Sequence, residues 1–372
     1  MTNTQALKTG IRNARNVSRY LYGQGAIADL TGILTERRAM SNAPAIFFVD
    51  SFFELHGLPQ KLDAVEHADH VIYVDTTNEP TTNQINQLRN RLEAAGADQT
   101  PPCAIVGIGG GATMDIAKAV SNLLTNGGNA EDYQGWDLVK MPGIFKIAIP
   151  TISGTGAEST RTCVMTNPAS GLKLGMNSDF TVYDQIILDP DLTSTVPRNQ
   201  YFHTGMDAYI HCMESLNGSY RNAIGDAYSD QTIRLCRDVF MSKDMMSDES
   251  RANLMVASYL GGCAIATSYV GVVHPFSAGL SVVLGLHHCI ANCIVMRAME
   301  PFYPEGYQEF WHLAEHQGAA IPEGVCHNLT DAQHDRLYEA TVIHQKPLIN
   351  ALGENYKNIL TREKIREIFQ KM

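Results

Sequence analysis

The stretch CAIVGIGGGATMDIAKAVSNLL, residues 103–124, constrains the fold more than any other part of the chain. Its apolar start reads as a buried strand, three successive glycines permit an abrupt turn, and the remainder has helical spacing. A strand that passes straight into a helix this way belongs to a βαβ unit, which builds parallel sheet. Other segments repeat the theme. APAIFFVD at 43–50 and HVIYVD at 70–75 are short apolar runs ending in an acid. SFFELHGLPQKLDAVEHA, 51–68, and TTNQINQLRNRLEAAGA, 81–97, are spaced as helices, and FKIAIPTISGTGAES, 145–159, is a strand running into a second glycine loop. Near ILDPDLTSTVPRNQYF, 187–202, two prolines and an acidic turn suggest a hinge, and beyond it the segments look helical. The expectation is a Rossmann-like α/β domain over 1–190 and an all-helical domain over 191–372.

The glycine turn has a chemical reading and a bland one. Gly109, Gly110 and Gly111 remove side chains at a helix start, where free N–H groups and a partial positive charge favour a phosphate. A tight turn with close helix–strand packing explains them equally well. Thr151, Ser153 and Thr155 in the second loop offer hydroxyls to the same ligand, or make a hydroxyl-rich turn. Two such loops at successive strand ends point to one crevice. Asp50 ends its strand where it would meet a ribose hydroxyl or cap the next helix.

In MDAYIHCMES, Asp207 and His211 stand at i and i+4, adjacent on a helix. The pair alone is more simply a hydrogen bond settling a buried histidine. Downstream, YVGVVHPFSAGLSVVLGLHHCIAN carries His274 and His288, with His287 competing for the second place. Together the four make three nitrogens and one oxygen, a set that suits Zn(II) or Fe(II) with room for a substrate oxygen. Cys289 and Cys293 lie beside them, but no CxxC occurs among the eight scattered cysteines, which read mostly as small core residues.

A net charge of -11 disfavours a nucleic-acid partner. The start, MTNTQALKTGIRNARNV, lacks the apolar segment of a secretory signal, and no run of about 18 apolar residues marks a membrane span. The expectation is a cytoplasmic enzyme with a small-molecule substrate, no membrane partner, and a homodimer as the default assembly.

The motifs YGQGAIADL (22–30), GGGATMDIAK, PTISGTGAEST, GLK (171–173), LDPDLTSTVP and HTGMDAYIHCMES, with the His274–His288 separation, resemble the iron-containing (group III) alcohol dehydrogenase family. The resemblance runs from about residue 22 to about residue 300. It implies a Rossmann-like domain and a helical domain with the site in the cleft between them. It implies one divalent ion, Fe2+ or Zn2+, held by Asp207, His211, His274 and His288. It implies that Gly109, Gly110, Gly111 and Asp115 of the glycine motif bind NAD(P), with Thr151, Ser153, Thr155 and Lys173 near the nicotinamide and its ribose. Asp50 would favour NAD over NADP. Family members often carry a further histidine four residues after the third ligand; here that position is Ala278. The segment SAGLSVVLGLHH is similar to the branch that includes 3-deoxy-D-manno-octulosonate (Kdo) 8-oxidase.

The expected reaction is oxidation of a primary hydroxyl to an aldehyde, with the C8 hydroxyl of the sugar acid Kdo as substrate. A general NAD-dependent dehydrogenase of small alcohols or diols is the first alternative, and a dehydroquinate synthase-like cyclase or lyase the second. Dioxygen is a conceivable acceptor if the metal is iron. His287 is the expected proton acceptor. Tyr183, Tyr269 and the surroundings of Phe276 are expected to shape the pocket, and Arg161 or Lys173 to meet an acidic substrate.

Overall fold

The computed structural model describes residues 14–58 and 62–372. They form two compact units, one of residues 15–152 and 157–195, the other of 153–156 and 196–372.

The first unit contains, in chain order, β1 (Arg19–Tyr22), α1 (Leu30–Ser41), β2 (Ala45–Asp50), α2 (Phe52–His56), β3 (His70–Val74), α3 (Thr82–Ala94), β4 (Ala104–Gly109) and α4 (Gly111–Asn126). After them come β5 (Gly135–Trp136), β6 (Lys146–Pro150), β7 (Thr162–Asn167), β8 (Leu172–Asn177) and β9 (Gln185–Leu188). Six strands make a sheet in the order β1-β9-β6-β4-β2-β3, parallel throughout. β4 is interior, and all six of its residues are buried, which is why it reads as an unbroken apolar run. Phe47, Val49, Val106, Ile108, Ile147 and Ile149 form the core under one face. β2 leads outward to β3 on one side, while β4 lies on the other side of β2 and leads towards β6 and β9. The strand order therefore reverses between β2 and β4, the place where open α/β sheets leave a crevice at their carboxyl ends.

One expectation needs correction, and one feature went unforeseen. The helix expected over 51–68 is only five residues long: Gly57, at φ 61, ends it, and residues 59–61 lie outside the described part. The mainly parallel sheet is as expected; the unforeseen feature is a second, three-stranded sheet, β5-β8-β7, whose β7–β8 pair is antiparallel. Gly171, at φ 65, closes this hairpin in a conformation that favours glycine. The motif residue Lys173 stands on its β8 strand, opposite Thr166.

The second unit is helical: α5 (Arg198–Leu216), α6 (Ala223–Phe240), α7 (Asp248–Ser268), α8 (Val273–Leu284), α9 (His288–Val295), α10 (Pro304–Gln317), α11 (Asp331–Val342), α12 (Gln345–Leu352), α13 (Tyr356–Ile359) and α14 (Arg362–Phe369). Every residue of α5 from Tyr201 to Ser215 is buried, so this helix runs through the unit's interior. Its polar residues must therefore find partners inside the protein. Phe202, Phe240, Phe276, Phe310 and Phe369 belong to the surrounding core. No single described helix is long and apolar enough to cross a membrane. The eight cysteines are free, and only Cys289 is not fully buried.

Candidate metal centre and glycine turn

The turn after β4 leaves little room for a side chain at Gly109 or Gly110. A Cβ on Gly109 would lie 2.4 Å from Thr113 Oγ1 and 3.0 Å from the Asp50 Cβ, and one on Gly110 would lie 3.0 Å from Ile152 Cγ2. Asp50, at the end of β2, is thus a direct neighbour of the turn. Its carboxylate accepts from the backbone N–H of Phe52 at 2.9 Å and from the Thr76 hydroxyl at 2.8 Å, so the capping role is real whether or not a ribose is also met. Thr151 is tied to the same turn, its N–H donating to the Gly109 carbonyl at 3.0 Å.

The rest of the second loop serves the helical unit. A Cβ on Gly154 would fall 1.6 Å from the Thr204 carbonyl oxygen, and one on Gly156 would fall 2.6 Å from the Gly262 Cα. These glycines let the segment lie flush against α5 and α7. The Ser153 hydroxyl is buried there with no hydrogen-bond partner.

Asp115 and Lys173 carry structural duties. The Asp115 carboxylate accepts from the Val164 N–H at 2.9 Å, which joins α4 to β7. Burial raises its pKa to about 7 against the pull of Lys118 and the Val164 N–H. Lys173 pairs with Glu79 at 3.1 Å. Arg161 pairs with Asp137 and Asp179, so both expected acceptors of an acidic substrate already hold carboxylates. Tyr183 is fully buried, its hydroxyl donating to the Met114 carbonyl at 2.8 Å, which makes it core rather than pocket wall. Phe276 is fully buried as well. Lys118, also buried, donates to the Thr160 and Thr162 carbonyls at 2.9 and 2.8 Å.

In the helical unit three helices bring Asp207, His211, His274 and His288 together. One ligand atom from each lies within 4.8 Å of all the others. Asp207 and His211 share a face of α5, with His211 Nε2 3.5 Å from Asp207 Oδ1. His274, in the first turn of α8, puts Nε2 3.4 Å from the same oxygen. His288, the first residue of α9, puts Nε2 3.7 Å from Asp207 Oδ2. The His211 and His274 rings stack with centroids 4.7 Å apart. Asp207 is fully buried, whereas the His288 side chain keeps 29% of its surface exposed, so the set has a closed end and an open one.

Electrostatics tie these groups to one another. Burial alone would push the Asp207 carboxyl up, but the His211, His288 and His274 rings outweigh it and hold it far below the usual carboxylate range. Burial pushes His211 down to about 4, leaving it a neutral donor. Burial also opposes protonation of His274, but the Glu214 charge and the hydrogen bonds to Asp207 and Glu214 carry it up to about 9. One buried carboxylate and three convergent imidazoles, with a second carboxylate behind them, form a donor set that fits a divalent cation.

Two contributors escape a reading by motif. Glu214 sits at i+7 from Asp207 and i+3 from His211, an acid on the same helical face, and that spacing was the available signal. It accepts the Nδ1 proton of His274. Asn292 donates to Asp207 Oδ1 at 2.6 Å, and nothing in its residue type announced this. Cys289 Sγ comes within 3.7 Å of Asp207 Oδ2. His287, the expected proton acceptor, is the exposed N-cap of α9, next to His288 but outside the four-residue set.

Residues 17–190 match the family described as iron-containing alcohol dehydrogenase, and residues 201–335 match the C-terminal part of the Fe-containing alcohol dehydrogenase family. The chain is similar to the sulfoacetaldehyde reductase of Bilophila wadsworthia, with 30% identity over 282 residues covering 74% of this chain and 70% of that protein. It is similar to the NAD-dependent methanol dehydrogenase of Bacillus methanolicus, with 28% identity over 306 residues covering 80% of this chain and 78% of the other. The crystal structure of a sulfoacetaldehyde reductase from Bifidobacterium kashiwanohense in complex with NAD+ matches in fold, with TM-score 0.80 and 21% identity over 97% of this chain and 98% of that one.

Proposed function

The chain belongs to the iron-containing alcohol dehydrogenase family, and on that premise we propose that it interconverts a small primary alcohol and its aldehyde, using NAD and one divalent metal ion. The convergence of Asp207, His211, His274 and His288 carries this reading. Those four residues would hold the cation. The chemistry a cation supplies there is Lewis acidity towards an alcohol or carbonyl oxygen. With a cation held there, Glu214 would keep the remaining His274 proton on Nδ1 and leave Nε2 to the set. Gly109, Gly110 and Gly111 would admit the cofactor's pyrophosphate to the start of α4, at the reversal point of the sheet. Asp50 beside them would receive a ribose hydroxyl and repel a 2′-phosphate, which favours NAD over NADP. The chemistry a bound nicotinamide would supply is hydride exchange with a carbinol carbon. His287, exposed beside His288, is the proposed proton acceptor.

Short alcohols and aldehydes are the first substrate class. Relatives named for methanol and sulfoacetaldehyde support it. The engagement of Arg161 and Lys173 by carboxylates weighs against a bulky sugar acid recognised through them. The C8 hydroxyl of Kdo is the second reading, supported by Ala278, one turn from His274 on α8, and by the segment 277–288. The cyclase reading gives way to the family assignment.

The test is metal analysis of the purified protein together with a substrate panel. Short primary alcohols, their aldehydes, sulfoacetaldehyde and Kdo are offered with NAD or NADP, and nicotinamide absorbance and hydrogen peroxide are followed. Turnover of a short substrate with NAD is expected. Full activity after complete removal of divalent ions would overturn the reading, and peroxide in place of NADH would assign dioxygen as acceptor.

A further inference from the structure

Asn292 stands one turn beyond His288 on α9 and is fully buried. Its Nδ2 lies 2.6 Å from Asp207 Oδ1, 3.2 Å from His288 Nε2 and 3.4 Å from His274 Nε2. One nitrogen thus faces three of the four atoms assigned above to the cation. Its Oδ1 is buried with no hydrogen-bond partner. Turning the amide over would set that oxygen against the Asp207 carboxylate, acceptor against acceptor, so the buried charge selects the orientation with NH2 inward. An amide NH2 only donates, so its short bond goes to the carboxylate oxygen, and the His288 and His274 Nε2 atoms lie beside it. Glu214 secures the opposite nitrogen of His274, so this ring is fixed from both sides.

We propose that Asn292 is the positioning residue of this centre: its buried NH2 holds Asp207 Oδ1 and so sets the rotation of the carboxylate against the Nε2 atoms of His274 and His288. The inference rests on the metal-dependent reading above and adds a determinant of cation affinity that is not itself a ligand. Its arrangement is specific to the amide. A hydrophobic residue of the same size would fill the space without holding the oxygen, and an acid would repel it.

The experiment compares wild type with Asn292→Leu, which keeps the volume and removes both donors, and Asn292→Ser, which returns one. Zn(II) dissociation constants are measured by chelator competition on protein shown by circular dichroism to be folded. Co(II)-loaded samples are compared through their d–d absorption. Loss of an outer-shell partner typically weakens a metal site by about 10–100-fold, and that is the shift expected for Asn292→Leu, with partial recovery in Asn292→Ser and an altered Co(II) spectrum. A merely structural role would lower the melting temperature but leave the Zn(II) constant of the folded protein alone. Unchanged affinity in Asn292→Leu beside a wild type that binds zinc overturns this inference only. Tighter binding overturns it too, because the amide would then be competing with the cation. A wild type that binds no divalent ion overturns the metal-dependent reading and this inference with it. Should Asn292→Leu fail to fold, Asn292→Ala is measured in its place.

Discussion

Glu214 on α5 accepts the Nδ1 proton of His274 on α8, and its other oxygen takes the Val273 N–H at 2.5 Å. One buried carboxylate therefore both anchors the start of α8 and orients the ring of a proposed ligand. Replacing Glu214 with Ala is expected to weaken Zn(II) binding by about 10–100-fold, as for other partners behind a metal ligand. Chelator competition measures this. Equal affinity in the variant would leave Glu214 with the anchoring role alone.

Metal should also appear as stability. A ligand present at about 100 times its dissociation constant adds about 2.7 kcal/mol to the folded state. Removing the divalent ion from wild type is thus expected to lower the melting temperature, whereas Asp207→Ala and His211→Ala should melt at the same temperature with and without chelator. Thermal denaturation with parallel metal analysis decides it.

The two glycine loops should respond differently. Gly154→Ala drives a methyl into the Thr204 carbonyl, 1.6 Å away, so backbone must move, and a loss above about 4 kcal/mol or failure to fold is expected. Gly109→Ala meets the Thr113 side chain and Asp50 instead, in the turn proposed to receive the cofactor. It should raise the Michaelis constant for NAD while leaving metal content unchanged. Unaltered cofactor kinetics would remove the turn from the cofactor site.

Asp115 predicts a pH dependence with a definite sign. Burial raises its folded pKa from 3.8 to about 7, so the folded chain holds this proton more tightly than the unfolded one. Between about pH 4 and pH 7 the unfolded chain gives the proton up while the folded chain keeps it. The contribution of Asp115 therefore favours folding most at low pH and declines as pH rises through that window. Asp115→Asn should flatten this slope and be more stable than wild type at pH 8, where the folded chain holds a buried charge. Urea titrations across the window test it, and parallel slopes would refute it.

His287→Ala is expected to cut turnover and leave metal content intact, because the side chain is exposed and outside the four-residue set. Lost metal would instead make His287 a ligand, and unchanged turnover would end its role in proton transfer.

Local grammar made much of the fold legible. β2, β3, β4 and β6 announce themselves as short apolar runs, and α3 and α4 by their spacing and their starts at Thr81 and the glycines. The helix expected over 51–68 failed because apolar spacing says nothing about a Gly57 that turns left-handed. The β7–β8 hairpin was missed because half-buried strands of mixed residues resemble loop. At the candidate site, residue types capable of holding a cation pointed to Asp207, His211, His274 and His288. Lys173 and Arg161 looked available in sequence, and only their packing against Glu79, Asp137 and Asp179 shows those charges already met.

The sequence by itself determined β2, β3, β4, β6, α3 and α4, because period and glycine placement act over a few residues. It also put Asp207 and His211 on one helical face, since that spacing is a property of any α-helix. Only the tertiary structure decided that α8 and α9 bring His274 and His288 to that face, and that Glu214 and Asn292 stand behind them. Helix packing is settled by side chains far apart in the chain. The partners of a buried polar atom are therefore chosen by which helices meet, not by its neighbours in sequence.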